Sequence, residues 1–224
     1  MRKRWDHIKY FGILYALFFI VMFTLILIYD KKDLHLLLNT YHSPFLDKFF
    51  RYTTWIGSFG PPVIGVLFIL HRYGHAVYIL ITQVFNLLLT NSLKLLFGVP
   101  RPKTYFSENY PDITLDYMKG ITIHAQNGFP SGHTSAAFAL MMSIALISKN
   151  KWVSLASCLI AILVGYSRIY LSQHFAEDVL FGSAIGIFSA MLIYNYYSQM
   201  ERRLKWTNQS LITTLRKDKR VDSV

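Results

Sequence analysis

Three short polar clusters, far apart along the chain, hold residue types suited to handling a phosphate group. The first is Lys94-Leu-Leu-Phe-Gly-Val-Pro-Arg101-Pro102. Lys94 follows a long uncharged run, and an ammonium at the edge of apolar surroundings calls for an anion, although a lysine snorkelling to lipid head groups would look the same. Gly98 and Pro100 should end a helix carrying Lys94, so that Arg101, held before Pro102, turns back towards the same point. The second cluster is Phe129-Pro130-Ser131-Gly132-His133-Thr134-Ser135. A Ser-Gly pair at a helix start exposes backbone N–H groups at the positive end of the helix dipole, and glycine lets the backbone approach a phosphate closely. Taken alone, the same residues fit an ordinary serine cap.

The third cluster is Ser167-Arg168-Ile-Tyr-Leu-Ser-Gln-His174-Phe-Ala-Glu-Asp178. His174 and Asp178 share one helical face if a helix has begun there, and the carboxylate can then hold one imidazole nitrogen and leave the other as a nucleophile. Arg168 offers a planar fork that suits a pair of phosphate oxygens. A lone His-Asp pair is more often structural, and an arginine at a membrane edge also contacts head groups. Brought to one place, these cations, amide donors, two histidines and a carboxylate are the complement that phosphoryl transfer requires.

The elements that must bring them together are long and apolar. Of the 224 residues, 53% are hydrophobic and 16% aromatic, too apolar a balance for an ordinary soluble domain. Stretches free of Asp, Glu, Lys and Arg cover 10–29, 52–70, 73–93, 132–148, 152–167 and 179–200. Each is long enough to cross about 30 Å of hydrocarbon, the shorter ones with help from flanking turns. The sequence therefore predicts an all-α, polytopic membrane bundle of six transmembrane helices. It forms one domain over 1–224, with a core of about 10–200 and a basic tail at 201–224. Pro61 and Pro62 fall inside the second span and are expected to kink it. Arg2-Lys3-Arg4 before the first apolar run has the look of a secretory signal, but the run is of spanning length and Tyr29-Asp30-Lys31-Lys32 lacks the small residues of a cleavage site. No internal repeat is visible.

Most lysines and arginines, including Arg2, Lys3, Arg4, Lys9, Arg72, Lys149, Lys151 and those beyond Met200, fall on one side if the amino terminus is inside. Both termini are then cytoplasmic and the three clusters face outward; in a bacterium this means the inner membrane with the site on the periplasmic side. The net charge of +11 is spread between uncharged runs rather than gathered on a polar face, which speaks against nucleic acid and for a bilayer with anionic lipids. The tail is read as a basic segment against that surface or as a solvated end. A single cysteine, Cys158, excludes an intrachain disulfide and a cysteine metal cluster.

In this order, Lys-x6-Arg-Pro, Pro-Ser-Gly-His and Ser-Arg-x5-His-x3-Asp resemble the signature of the type-2 phosphatidate phosphatase superfamily, which includes lipid phosphate phosphatases and vanadium haloperoxidases. The resemblance implies a lipid phosphatase. His174 attacks phosphorus and forms a phosphohistidine, Asp178 orients it, and His133 protonates the leaving group and later activates water. Lys94, Arg101, Arg168 and the amides around Ser131 and Gly132 hold the phosphate oxygens. It implies no cofactor, and no carboxylate pair stands beside the site at metal-ligand spacing. Family substrates include phosphatidate, phosphatidylglycerol phosphate, undecaprenyl diphosphate and lipid A phosphates, and neither the choice among them nor the oligomeric state is readable.

The outer stretch 103–129 is expected as a segment to form a lid, while its Glu108, Asp112, Asp116, Tyr105, Tyr110 and Tyr117 are read individually as residues of a solvated loop. His7, His35, His42, His71, His75 and His124 are assigned to interfaces and loops without chemistry. Two rival readings are a haloperoxidase relative, disfavoured by six hydrophobic spans, and a lipid-binding or transport protein that keeps the pocket, disfavoured by the intact His133, His174 and Asp178.

Overall fold

A computed structural model of the chain describes residues 6–115, 117–118 and 121–214. Helix begins where the sequence turns apolar: α1 (Ile8–Ile28) runs until the backbone becomes extended at Tyr29 and Asp30. Two short helices follow, α2 (Lys31–Leu38) and α3 (Pro44–Thr53). The second of them is started by Pro44 in its first turn and by Ser43, whose hydroxyl accepts the Leu46 N–H at 3.2 Å. A 3-10 turn (Thr54–Gly57) leads to α4 (Gly60–His71) and α5 (Tyr73–Phe97). Gly98 ends α5 in the left-handed region at φ 57°, a conformation glycine adopts without steric cost. The rest of the described chain carries α6 (Pro102–Asn109), α7 (Gly132–Ser148), α8 (Lys151–Tyr170), α9 (Ala176–Arg203) and a 3-10 turn at Lys205–Asn208. No strand occurs among the described residues.

The expected row of six full spans is only partly seen. Ile8–Ile28, Tyr73–Asn109, Lys151–Tyr170 and Ala176–Arg203 are long and apolar enough to cross a membrane, while α7 is apolar but has 17 residues. The second span is not one helix kinked at its prolines: Pro44–Gly57 and Gly60–His71 meet at 57°. The break precedes Pro61 and Pro62, which occupy the first turn of α4, where their missing N–H groups have no intrahelical partner to lose. Arg168, placed by the sequence in a connecting loop, lies within the last turn of α8.

The centre of the bundle is α7, which packs on α5, α8 and α9 and buries Ala137, Phe138, Ala139 and Leu140 completely. A helix covered on all sides has no polar face, so apolar and small residues alternate around it. Its crossing with α9 is close: a Cβ on Gly186 would stand 2.3 Å from the Ser135 carbonyl oxygen, and one on Gly182 2.7 Å from that of Ser131. Such small-residue contacts let membrane helices meet backbone to backbone. Gly186→Ala must therefore push the helices apart, at a cost of about 1–3 kcal/mol. The expected result is a lower thermal unfolding midpoint in detergent; an unchanged midpoint would contradict this packing.

At the periphery, α1 buries only Phe11 and Met22 and exposes Ile13, Leu17, Ile20 and Leu27, a surface that hydrocarbon rather than water would cover. Hydrogen bonds cross the interior between spans. Asn86 Nδ2 donates to Ser135 Oγ at 3.2 Å, Thr90 Oγ1 and Ser135 Oγ are 3.1 Å apart, and Ser189 donates to Asn86 Oδ1 at 3.4 Å. At the end of the bundle opposite Lys94, Arg72 donates to Glu201 at 2.6 Å and also to Asn208, and the Tyr73 N–H donates to the Gln209 carbonyl at 2.8 Å. The start of the expected basic tail is thus docked on α5. Arg2, Lys3, Arg4, Arg216, Lys217, Lys219 and Arg220 lie outside the described residues.

Candidate active site

The carboxyl ends of α5 and α8 and the amino ends of α7 and α9 meet at one end of the bundle, so all three sequence clusters converge there. His174 sits in the turn between α8 and α9, and its Nδ1 is 3.2 Å from Asp178 Oδ2, with both side chains 1% exposed. The same carboxylate oxygen accepts the Phe175 N–H at 2.9 Å, which caps α9 and fixes the carboxylate. Because Asp178 holds Nδ1, the tautomer with a free Nε2 is favoured. The N–H groups of Gln173 and His174 both donate to the Arg168 carbonyl, at 3.0 and 3.1 Å, so the histidine and the arginine form one rigid turn. Burial, followed by the charges of Arg101, Arg168 and Lys94, holds the His174 imidazole well below the usual histidine range, which favours the neutral ring.

The three cations have donors to spare. Arg168 is 5% exposed; its Nη1 donates to Thr54 Oγ1 at 2.5 Å, and its buried Nε has no partner among the described residues. Lys94 Nζ donates to the Asn127 carbonyl at 2.7 Å. Arg101 donates through Nε to the Gln126 carbonyl at 2.9 Å and through Nη1 to the Gln173 carbonyl and side chain, both at 3.3 Å. Among the described residues none of the three is paired with a carboxylate. Charges removed from water without counter-ions are costly, and three together leave room for an anion with several oxygens.

Ser131 caps α7, its hydroxyl accepting the Thr134 N–H at 3.4 Å. Its own N–H donates to the Asp178 carbonyl at 2.9 Å, so of the amides around Ser131 and Gly132 those of Gly132 and His133, at the helix start, are the ones placed to meet a ligand. A Cβ on Gly132 would lie 3.7 Å from Lys94 Cε, which puts the ammonium beside this helix start.

The family model described as "PAP2 superfamily" matches residues 74–202, more than half of the chain and all three clusters. The chain belongs to the PAP2 superfamily. It is a membrane enzyme that hydrolyses phosphate from lipids. It is similar to a lipid A 4'-phosphatase of Bacteroides thetaiotaomicron, 31% identical over 77% of this chain and 79% of that protein. A lipid A 4'-phosphatase of Porphyromonas gingivalis is 27% identical over 80% of this chain and 77% of its own length. Among solved structures, LpxE of Aquifex aeolicus superposes with a TM-score of 0.63 at 26% identity, covering 76% of this chain and 99% of the other.

Several parts of this PAP2 site were not legible in the motifs. Thr54, which holds Arg168, and Gly57, where a Cβ would come 2.6 Å from the His133 carbonyl oxygen, lie in the 3-10 turn before α4 and outside the family match. Their only signal is the interruption that Gly57, Gly60, Pro61 and Pro62 impose on an apolar run. Gln173 was passed over inside the third motif, yet it is 1% exposed and bridges Arg101 to the Thr122 carbonyl, the latter at 3.2 Å. His124, assigned no chemistry, is close enough to the site to be held below the usual histidine range by burial and by the charges of Arg101, Arg168 and Lys94. In the 103–129 stretch, α6 packs Phe106 and Tyr105 against Phe175 and the carbonyls of Gln126 and Asn127 cover two cations. Glu108 and Asp112 are exposed, and Asp116 lies outside the described residues.

A cleft of about 350 Å³ opens beside His133 between α4, α5 and α7. Gly57, Pro62, Gln83, Leu87 and Gly132 are among the residues that line it.

Proposed function

We propose that this PAP2 enzyme removes a phosphate monoester from lipid A by a two-step, metal-independent route through a phosphohistidine at residue 174. The observation that carries the reading is the convergence of Lys94, Arg101 and Arg168, none with a carboxylate partner among the described residues, on a buried histidine whose other nitrogen is held by Asp178. In the first step Nε2 of His174 bonds to phosphorus as the bond to the lipid oxygen breaks, and His133, protonated once the anionic substrate offsets the charges of Lys94, Arg101 and Arg168, gives its proton to that oxygen. The three cations and the amides of Gly132 and His133 stabilise the equatorial oxygens, and Asp178 stabilises the positive imidazole. In the second step His133 takes a proton from water, whose oxygen bonds to phosphorus as the P–N bond breaks, releasing phosphate and neutral His174. The cleft beside His133 suits the lipid alcohol, because the residue that would protonate the leaving oxygen is part of its lining.

The lipid A assignment rests on the names of relatives matched over most of their length. The test is a panel of lipid A, phosphatidate, phosphatidylglycerol phosphate and undecaprenyl diphosphate with the purified enzyme. Lipid A should give the highest kcat/KM. Turnover should survive a strong chelator and fall with vanadate, whose five-coordinate form resembles the transition state. Preference for another lipid would overturn the substrate, and loss in chelator restored by Mg²⁺ would overturn the route.

The same reading places six crossings in the bilayer, with α3, the 3-10 turn and α4 as one bent crossing and α7 as a short inner one. Both termini are then cytoplasmic and His174 faces outward. The exposed Arg202, Arg203 and Lys205 lie on the inner side, where anionic lipid would attract them. Cysteines at Asn109 and Lys205, both exposed, should label from outside and inside respectively, against a background kept low by the burial of Cys158. Labelling of both from outside would contradict this topology.

A further inference from the structure

The turn that carries His174 is gripped from its outer side by α2, an element that lies before the family match and that the motifs do not mention. Asn39, at the end of α2, donates its side-chain amide to the carbonyls of Ile169 and Tyr170, at 3.2 and 2.6 Å, and so satisfies the last carbonyls of α8. Leu34 is buried against Ile169, Ala176, Val179 and Leu180. Lys31 Nζ stands 4.2 Å from the centre of the Phe175 ring. Between these contacts His35, 1% exposed, points at the turn. Its Nε2 is 3.3 Å from Ser172 Oγ, and its ring packs on those of Phe106 and Phe175 at 5.6 and 5.1 Å.

Ser172 is the residue at which the turn reverses. Its φ is 49°, in the left-handed region that a non-glycine residue occupies at a cost and only when its surroundings hold it there. Its N–H donates to the Ile169 carbonyl at 2.9 Å, and the next two N–H groups return to the Arg168 carbonyl. A rotation at Ser172 would move Gln173, the partner of Arg101, together with His174. The hydroxyl of Ser172 is fully buried, and His35 is its one side-chain partner among the described residues.

We propose that His35 is a positioning residue for the nucleophile: through its hydrogen bond to Ser172 it holds the 172–174 turn at the angle from which Nε2 of His174 can reach phosphorus. The inference rests on His174 being the nucleophile. It separates two jobs that a buried histidine can do. If the ring only fills space between Phe106 and Phe175, an aromatic replacement serves and an amide does not. If the hydrogen bond to Ser172 is the function, the reverse holds, since a glutamine amide nitrogen reaches nearly the same place as Nε2.

The experiment compares His35→Phe, His35→Gln and Ser172→Ala with wild type and His174→Ala in detergent, on a lipid phosphate. The readouts are kcat, KM and the rate at which phosphate appears on the protein after mixing. His35→Phe and Ser172→Ala should each lower kcat and phosphoenzyme formation about tenfold with KM within about twofold, since misplacing a reacting atom costs rate more than binding. His35→Gln should recover most of the loss, and the double variant His35→Phe/Ser172→Ala should be no worse than either single one. Wild-type kcat in His35→Phe, or a larger loss in His35→Gln than in His35→Phe, would overturn the proposal. Should His35→Phe fail to fold, Ser172→Ala alone decides, and an unchanged kcat there overturns it equally. Full turnover by His174→Ala would instead overturn the nucleophile assignment on which the inference stands.

Discussion

Replacing His133 with alanine is expected to lower kcat on a lipid phosphate by about 10²–10⁴, the usual range for loss of a general acid, while turnover of nitrophenyl phosphate falls much less. The difference follows from the leaving oxygen. A lipid alkoxide is strongly basic and needs a proton as the bond to phosphorus breaks, whereas nitrophenolate departs without help. His133 stands at the first turn of α7, with Gly57 packed on its carbonyl, and it lines the cleft proposed for the lipid alcohol. The quantity to measure is the ratio of turnover on nitrophenyl phosphate to turnover on the lipid. A ratio that rises by an order of magnitude or more fits the role, and an unchanged ratio removes it.

His174→Ala carries the larger expected effect, a loss of at least about 10⁴ on both substrates, because no leaving group compensates for the missing nucleophile. Residual turnover should be limited to direct attack by water in a pocket whose three cations and two amides are intact. The two variants therefore give opposite patterns, one dependent on the leaving group and one not. If the dependence appears in His174→Ala and not in His133→Ala, the two roles are exchanged.

The convergence of these residues was legible because they are of types that an apolar chain carries only for a reason. Lys94 and Arg168 stand at the ends of long uncharged runs, where a cation is costly, and His174 and Asp178 lie four apart in the polar stretch that follows. The spacing of His174 and Asp178 foretold their contact, although the contact forms across a helix start and not within a turn of helix. The supporting residues were not legible for the converse reason. Thr54, Asn39, His35 and Ser172 are ordinary in a polar connection, and their roles arise only when segments more than a hundred residues apart are packed together. The bend before α4 was misplaced because a proline pair reads as a kink within a helix, whereas Gly60 and the preceding 3-10 turn make it a helix start. The bond that occupies the Ser131 N–H was not legible, because its partner, the Asp178 carbonyl, is 47 positions away in the chain and no pattern in sequence connects them.

The claim on which the rest depends is that phosphate passes through His174. Mixing the enzyme with lipid phosphate for milliseconds and quenching in alkali should trap one phosphate per chain, because a phosphoramidate survives base and is lost in acid. Mass spectrometry of the alkaline digest should place it on residue 174 in the wild type, at a higher level in His133→Ala when a nitrophenyl phosphate feeds the first step and the second is slowed, and nowhere in His174→Ala. A phosphate found on another residue, or rapid turnover with no phosphate on the protein at any time, would contradict the account.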